Sequence, residues 1–438
     1  MRKIKRKSFF LLYIIVLCLL LFARDVIGVN IPLFLFLAYF SMPYCFFSYD
    51  ECLALSAMLP LLSHGIQTNY IMLIACVTYI IRFRKSTKIN RIHIIVLLLC
   101  VYELLHILVP EFSIIEYLRY MFYFIYIGLI LGERKIQSLV ENEKFILKSF
   151  VFMDAYFMLD VFLVTIKYLN FSTLVSSGFR FGTLEDFAID KPMLFDNENM
   201  VGLFALIGIG ILLVLLISDK KKKTLNALLI IYFSFFGLLT TSKTFVICFV
   251  LMLTLFILYL YRICFFKALG ITVFTITGIG IAINTIFLNE FQRVVLRFHA
   301  ADLSTGRNDL MQAYNTYIFS DWKRVIFGIG LQNVVEKSGV KNSPHNAIQE
   351  LLLCWGVIGV VAILVLTIIV LRNIRYKFIK VPTIIYYLLP FMFFIYIQTI
   401  QFIRVPSIFG LVIILYVSIL LDCRKVTYKI QKSDRKIE

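Results

Sequence analysis

Asn199–Ser218 reads NMVGLFALIGIGILLVLLIS, a run without a charged residue. As an α-helix at about 1.5 Å per residue it is roughly 30 Å long, the thickness of a bilayer's hydrocarbon core. It is not alone. Comparable apolar runs lie at 8–23, 31–48, 51–65, 67–82, 91–109, 112–131, 145–168, 224–240, 244–263, 268–288, 347–371, 382–400 and 405–421. Hydrophobic residues make up 61% of the 438, charged residues only 16%, and the mean hydropathy is +0.90. A soluble chain of that composition would expose a vast apolar surface. The expected fold is therefore an all-α polytopic integral membrane protein with about 12–14 transmembrane helices. The runs at 51–65 and 67–82 are short for a span, and merging them into one re-entrant pair leaves the parity of the topology intact.

The formal charge of +18 sits in short Lys/Arg clusters between apolar runs rather than along one stripe. That is the pattern of positive-inside topology and not of a nucleic-acid surface, so no nucleic-acid partner is expected. The basic start Arg2-Lys3-Ile4-Lys5-Arg6-Lys7 resembles the n-region of a signal peptide. Leu21-Phe22-Ala23-Arg24 is a poor cleavage site, however, and a retained first helix is expected. With the N-terminus inside, alternation places the basic loops inside and both termini in the cytoplasm. Cys18, Cys76, Cys100, Cys248 and Cys354 lie in apolar runs without CxxC spacing and read as small core residues.

The organisation that follows is N-terminal transmembrane helices over 1–168, a first external loop at 169–198 and central helices over 199–288. A large external loop covers 289–346, C-terminal helices cover 347–421, and a basic cytoplasmic tail covers 422–438. The loops 169–198 and 289–346 and the link Thr240-Thr241-Ser242-Lys243 are expected to converge on one face. In the larger loop Leu310, Ala313, Tyr314, Tyr317 and Ile318 recur at i, i+3, i+4, i+7 and i+8, the stripe of a short amphipathic helix. Ser304 or Thr305 is its expected N-cap, with Arg307 in the first turn.

These outer segments hold the candidate chemistry. Arg307, Arg180 and Lys243 are cations at the ends of membrane segments, where an anionic ligand is the natural partner. A lipid diphosphate meets that need, and fixed cations stabilise it most as it departs. A sugar hydroxyl, in contrast, needs a base to become a nucleophile. His345, in a polar segment at a helix entrance, suits that role, with Asn346 and Glu350 beside it to orient or support. Each residue also has a plainer reading. His345 can bond locally at a helix start, Arg307 can snorkel to lipid headgroups, Lys243 can belong to an ordinary turn, and Arg180 can pair with Glu185 or Asp186. There is no glycine-rich phosphate loop and no clustered histidine, so neither cofactor nor metal is expected.

The run Ser304-Thr305-Gly306-Arg307, the turn Phe327-Gly328-Ile329-Gly330, and Ser343-Pro344-His345-Asn346 leading into Glu350 and Trp355-Gly356-Val357-Ile358-Gly359 together resemble the O-antigen ligase and polymerase (Wzy/WaaL-like) superfamily. Arg180-Phe181-Gly182, Asn199-Met200-Val201-Gly202 and Thr241-Ser242-Lys243-Thr244 look like its further signatures in the same order. The resemblance covers about residues 170–371. It implies metal-independent glycosyl transfer on the outer face of the cytoplasmic membrane, with undecaprenyl-diphosphate-linked glycans as donor and acceptor among membrane lipids. A chain-length regulator (copolymerase) and a flippase are the partners such a system implies. Carried over, Arg307 and Arg180 engage diphosphate, His345 acts as the base on the acceptor hydroxyl or as its ligand, and Asn199 belongs to the substrate-binding set with Lys243, Asn346 and Glu350. Lys243 stands where the family usually has Arg, and Lys lacks the bidentate fork. Within the family a repeat-unit polymerase is favoured over an O-antigen ligase acting on lipid A core. From another class, a lipid-linked oligosaccharide flippase also fits the span count.

Overall fold

A computed structural model describes residues 2–62, 68–83, 89–108, 112–132, 142–168, 181–182, 197–218, 222–285, 292, 295, 306–376, 384–403 and 405–421. The described residues form helices and no strand. In chain order the α-helices are α1 (Arg2–Phe22), α2 (Leu33–Phe46), α3 (Tyr49–Met58), α4 (Thr68–Thr78), α5 (Arg91–Leu104) and α6 (Ile114–Gly132). There follow α7 (Glu143–Tyr168), α8 (Glu198–Ser218), α9 (Lys223–Leu239), α10 (Lys243–Ile263) and α11 (Phe265–Thr285). After these come α12 (Arg307–Phe319), α13 (Trp322–Phe327), α14 (Val334–Ser338), α15 (Ala347–Tyr376) and α16 (Leu388–Tyr396). The last is α17 (Gly410–Leu421).

The chain is thus an all-α multi-pass membrane protein. Among the described residues seven helices are long and apolar enough to cross a membrane: Phe9–Ile27, Arg91–Leu108, Ile114–Gly132, Glu143–Lys167, Glu198–Ser218, Lys243–Ile263 and Ala347–Asn373. Five more apolar helices are shorter, from Leu33–Phe46 to Gly410–Leu421. Among the described residues the run at 51–65 makes no span of its own. Its described part is α3, where Glu51 reaches back to the Ser48 N–H at 2.7 Å, and the 3-10 turn Leu59–Leu62. Together they extend roughly 23 Å, short of the hydrocarbon thickness, and nearly every residue is buried. The five cysteines expected in the core are buried.

The described chain divides into two compact units. One comprises Met1–Ile31, Ser149–Leu303 and Ile384–Tyr396, and the other Pro32–Lys148, Ser304–Thr383 and Ile397–Glu438. In the first, α8 is the central post, almost wholly buried. Its glycines admit neighbours closely: the Tyr396 hydroxyl at Gly202, Asp154 and Phe233 at Gly208, and Leu389 at Gly210. This unit also buries more charge than its hydropathy announces, with Asp154, Asp160 and the bonded pair Arg24–Asp25 (2.6 Å) all inside it.

In the second unit the decisive feature is a break in α15. Gly356 has φ 61° and ψ −164°, so Ala347–Trp355 and the stretch from Val357 are two helical segments in one run. Gly328, after α13, has nearly the same conformation, φ 70° and ψ −163°. These angles belong to a region essentially confined to glycine. The two glycines cross back to back: a Cβ on Gly328 would stand 2.6 Å from the Trp355 amide nitrogen, and one on Gly356 would stand 2.7 Å from that of Phe327. The break frees carbonyls that a membrane cannot hydrate, and they find donors. Ile329 N–H donates to the Leu353 carbonyl and Gly330 N–H to that of Cys354, both at 2.9 Å. The Tyr102 hydroxyl donates to the Phe327 carbonyl at 2.6 Å and lies 3.3 Å from that of Trp355.

Candidate functional site

The second unit carries four of the sequence-derived candidates. Arg307 opens α12 and is half-buried, as the sequence expects of a first-turn residue. The cap differs from expectation. Ser304 and Thr305 lie outside the described residues, and the N-cap position is taken by Gly306 in a left-handed conformation (φ 78°), without a side-chain bond to the helix. Asp309 in the first turn complements the helix dipole. The apolar stripe holds in part. Tyr314 and Ile318 are fully buried and Leu310 and Tyr317 pack on the same core, whereas Ala313 points outward because the buried arc is narrower than the pattern implied.

His345 and Asn346 occupy the non-helical stretch that leads into α15, and both are half-buried. Asn346 is the helix cap: its Oδ1 accepts the Gln349 N–H at 3.0 Å, and its carbonyl accepts the Glu350 N–H at 2.8 Å. The Gln349 side-chain amide then reaches across to α12, donating to the Met311 carbonyl at 2.7 Å and to Asn315 Oδ1 at 2.8 Å. The Tyr314 hydroxyl donates to the Asn342 carbonyl at 2.7 Å. Met311 is one turn beyond Arg307, and Gln349 one turn beyond His345. These bonds therefore lay the start of α12 against the start of α15, and a guanidinium and an imidazole sit on adjoining helix starts.

Glu350 follows in the first turn of α15. It is fully buried, and its Oε2 accepts the backbone N–H groups of Phe402 and Ile403 at 2.8 and 2.9 Å. Through Oε2 its carboxylate secures the chain that follows the 3-10 turn Ile397–Thr399.

Around the turn between α13 and α14 lies a buried polar cluster centred on Glu103, which the sequence shows as a deep charge without showing its partners. Glu103 of α5 accepts the Leu331 N–H at Oε1 (3.0 Å) and the Trp355 indole N–H at Oε2 (2.6 Å), with His106 Nδ1 3.8 Å away. Gln332 holds the backbone of Ser113 in both directions, accepting its N–H at 2.7 Å and donating to its carbonyl at 3.1 Å. Lys337 donates to the Ile329 carbonyl at 3.0 Å. The Glu103/Gln332 pair thus fastens the 329–333 turn to the ends of two membrane helices. The available signal was an acid deep in an apolar run, which a membrane protein retains for a reason.

In the first unit the other signature segments meet one another. Phe181 N–H donates to the Leu239 carbonyl at 3.1 Å, and the Phe181 ring packs on Phe236 with centroids 5.3 Å apart. A Cβ on Gly182 would meet Val201 of α8. Asn199, capped by Asn197 Oδ1 at 2.9 Å, accepts the Ser242 hydroxyl at 2.7 Å and lies 3.3 Å from Glu198, while its carbonyl accepts the Tyr396 hydroxyl at 2.7 Å. Asn199 is therefore a buried strut between α8 and the start of α10. Ser242 caps α10, accepting the Phe245 N–H at 3.3 Å, and Thr241 before it adopts a positive φ of 49°. Lys243 is the first residue of α10 and is half-buried. Arg180 lies outside the described residues, as does most of 169–198.

Among the described residues no group of three or more His, Cys, Asp or Glu side chains is placed to hold a metal ion. The chain matches no protein-family model, no curated protein and no solved structure.

Proposed function

We propose that the protein is a membrane glycosyltransferase that polymerises undecaprenyl-diphosphate-linked oligosaccharide repeat units on the outer face of the cytoplasmic membrane. One observation carries this reading: the Gln349 bonds to Met311 and Asn315 set the helix start bearing Arg307 against the helix entrance bearing His345. A cation for the leaving diphosphate and a base for the incoming hydroxyl are what the transfer requires on adjoining elements. In the proposed reaction the anomeric carbon–oxygen bond to diphosphate breaks and the acceptor hydroxyl oxygen forms the new bond. The hydroxyl proton passes to His345, and undecaprenyl diphosphate leaves as the anion. Arg307 interacts more strongly with that anion as its charge grows, which accelerates the step. Further support comes from the ordered set of family-like motifs, of which Phe181-Gly182, Asn199 and Thr241-Ser242 pack together in their own unit.

Purified protein in liposomes, supplied with lipid-linked repeat units alone, is expected to yield a ladder of longer glycans. Arg307→Ala and His345→Ala should abolish the ladder while leaving the purified proteins folded. Full polymer from both variants refutes the site. Transfer only when lipid A core is added identifies the ligase instead. A second reading, a lipid-linked oligosaccharide flippase, is favoured by the charges buried within membrane helices of the first unit, Asp154, Asp160 and the Arg24–Asp25 pair. Transbilayer movement of the lipid without new glycosidic bonds would establish it.

A further inference from the structure

The segment between α12 and the Gly328–Gly356 crossing presents a surface that neither the fold nor the proposed chemistry uses. Phe319 and Trp322 are each 63% exposed, Phe327 46% and Ile326 37%. Lys323, exposed beside them, adds a positive charge to the same edge. Within α13, Trp322, Lys323, Ile326 and Phe327 stand at i, i+1, i+4 and i+5, one side of the helix, and Phe319 closes α12 just before it. The inner side of that helix is committed. Arg324 stacks on the Tyr317 ring at 4.0 Å and donates to the Tyr317 carbonyl at 3.1 Å, while Val325 packs on the core.

The depth of this edge follows from the helix break. From Val357 to Asn373 the second part of α15 rises about 26 Å, close to the hydrocarbon thickness, with the exposed Arg372 at its far end free to reach the opposite headgroups. Gly356 therefore lies near one boundary of the hydrocarbon. Gly328 crosses Gly356 backbone to backbone, and the Phe327 carbonyl is tied to Tyr102 of the span Arg91–Leu108. The end of α13 is held at that boundary by two membrane helices at once. Both membrane helices expose apolar side chains toward that end, among them Leu105, Leu108, Val357 and Val361.

We infer that Phe319, Trp322, Ile326 and Phe327 insert into the bilayer interface, with Lys323 among the phospholipid phosphates. The edge is an interfacial anchor that keeps the 306–346 segment against the membrane surface. A large indole and two phenyl rings beside a lysine form the composition that partitions to the headgroup level. The inference does not depend on the glycosyl-transfer reading, because it concerns where the segment rests and not what it catalyses.

The chain has two tryptophans, and Trp355 is wholly buried, so Trp322 can be read by difference. Wild type and Trp322→Phe would be reconstituted in phosphatidylcholine/phosphatidylglycerol liposomes, with and without lipids brominated near the carbonyl end of the acyl chains. The wild-type minus Trp322→Phe emission should be blue-shifted, reduced about twofold or more by the brominated lipids, and shielded from aqueous iodide. Trp355→Phe, if it folds, gives the same signal directly, and the difference measurement does not need it. Iodide quenching without bromolipid quenching would place Trp322 in water and overturn the inference. Shielding from both quenchers would mean that protein covers the edge, and would overturn it as well. In that case one-copy nanodiscs separate a second molecule, whose removal restores iodide quenching, from another part of the same chain.

Discussion

Gly356→Ala is the sharpest test of the fold, because its sign depends on whether α15 is broken. In a straight membrane helix, Gly→Ala at an apolar position gains about 1 kcal/mol in helix propensity. In the structure described here the same methyl would meet the Ile326 carbonyl and stand 2.7 Å from the Phe327 nitrogen. Both are backbone atoms and cannot rotate away. Alanine at φ 61°, ψ −164° also carries a conformational cost of about 1–3 kcal/mol, and the forced separation adds about 1–3 more. If the crossing opens, the Ile329–Leu353 and Gly330–Cys354 hydrogen bonds are lost at about 1 kcal/mol each. The expected penalty is about 4–8 kcal/mol, a large fraction of a typical domain stability of about 5–15 kcal/mol. Gly328→Ala should behave alike, since its methyl would strike Cys354 and Trp355. The double variant should fall well short of additive, because either methyl alone opens the same crossing. The assay is denaturant or thermal unfolding in detergent, with Gly278→Ala of α11, around which nothing lies within 4 Å, as the control expected to be neutral or slightly stabilising. A Gly356→Ala protein that unfolds at or above the wild-type midpoint would refute both the helix break and the crossing.

Glu103 supplies two acceptors to buried N–H donors. Glu103→Gln keeps one, and Glu103→Ala keeps none, so stability should fall in the order wild type, Gln, Ala, by about 1–3 kcal/mol per orphaned donor. Equal unfolding midpoints for all three would show that Glu103 does not hold the 329–333 turn. Ser242→Ala removes both the α10 cap and the hydroxyl that donates to Asn199, and should cost about 1–2 kcal/mol in the same assay. Ser242→Thr, which retains the hydroxyl, should restore most of that loss, and failure to do so would argue against the Asn199 strut.

How much of this could be read from the chain depended on how local the cause was. The membrane helices follow from composition along a single run, as in Asn199–Ser218, and α12 follows from a three- and four-residue recurrence ending at Tyr314 and Ile318. The break at Gly356 could not be read in that way, because Trp355-Gly356-Val357 is as apolar as its surroundings. Its cause lies in the facing Gly328, far away in sequence. Glu103 is a similar case: its partners are Leu331 and Trp355, and nothing near residue 103 announces them. The N-cap at Gly306, in place of the expected Ser304 or Thr305, has a local cause, since glycine takes the left-handed position that sets the direction of the chain into α12.

The candidate residues divide along the same line. Asn199, Asn346 and Glu350 were singled out for polar chemistry at helix ends, and each satisfies backbone or side-chain groups of the protein itself. A polar residue at a helix start has nearby orphan N–H groups to serve, so such positions attract Asn and Glu whether or not a ligand comes. Arg307 and His345 stand at the starts of two such elements. Each is half-buried at the first turn or entrance of a helix whose packing is already secured by neighbours, Tyr314 and Ile318 for one and Asn346 and Gln349 for the other. Side chains carried on elements that the fold holds firmly are well placed to meet a substrate with little reorganisation. Under the proposed reaction that firmness would let Arg307 and His345 meet diphosphate and acceptor hydroxyl together, which is what loss of the glycan ladder in Arg307→Ala and His345→Ala tests.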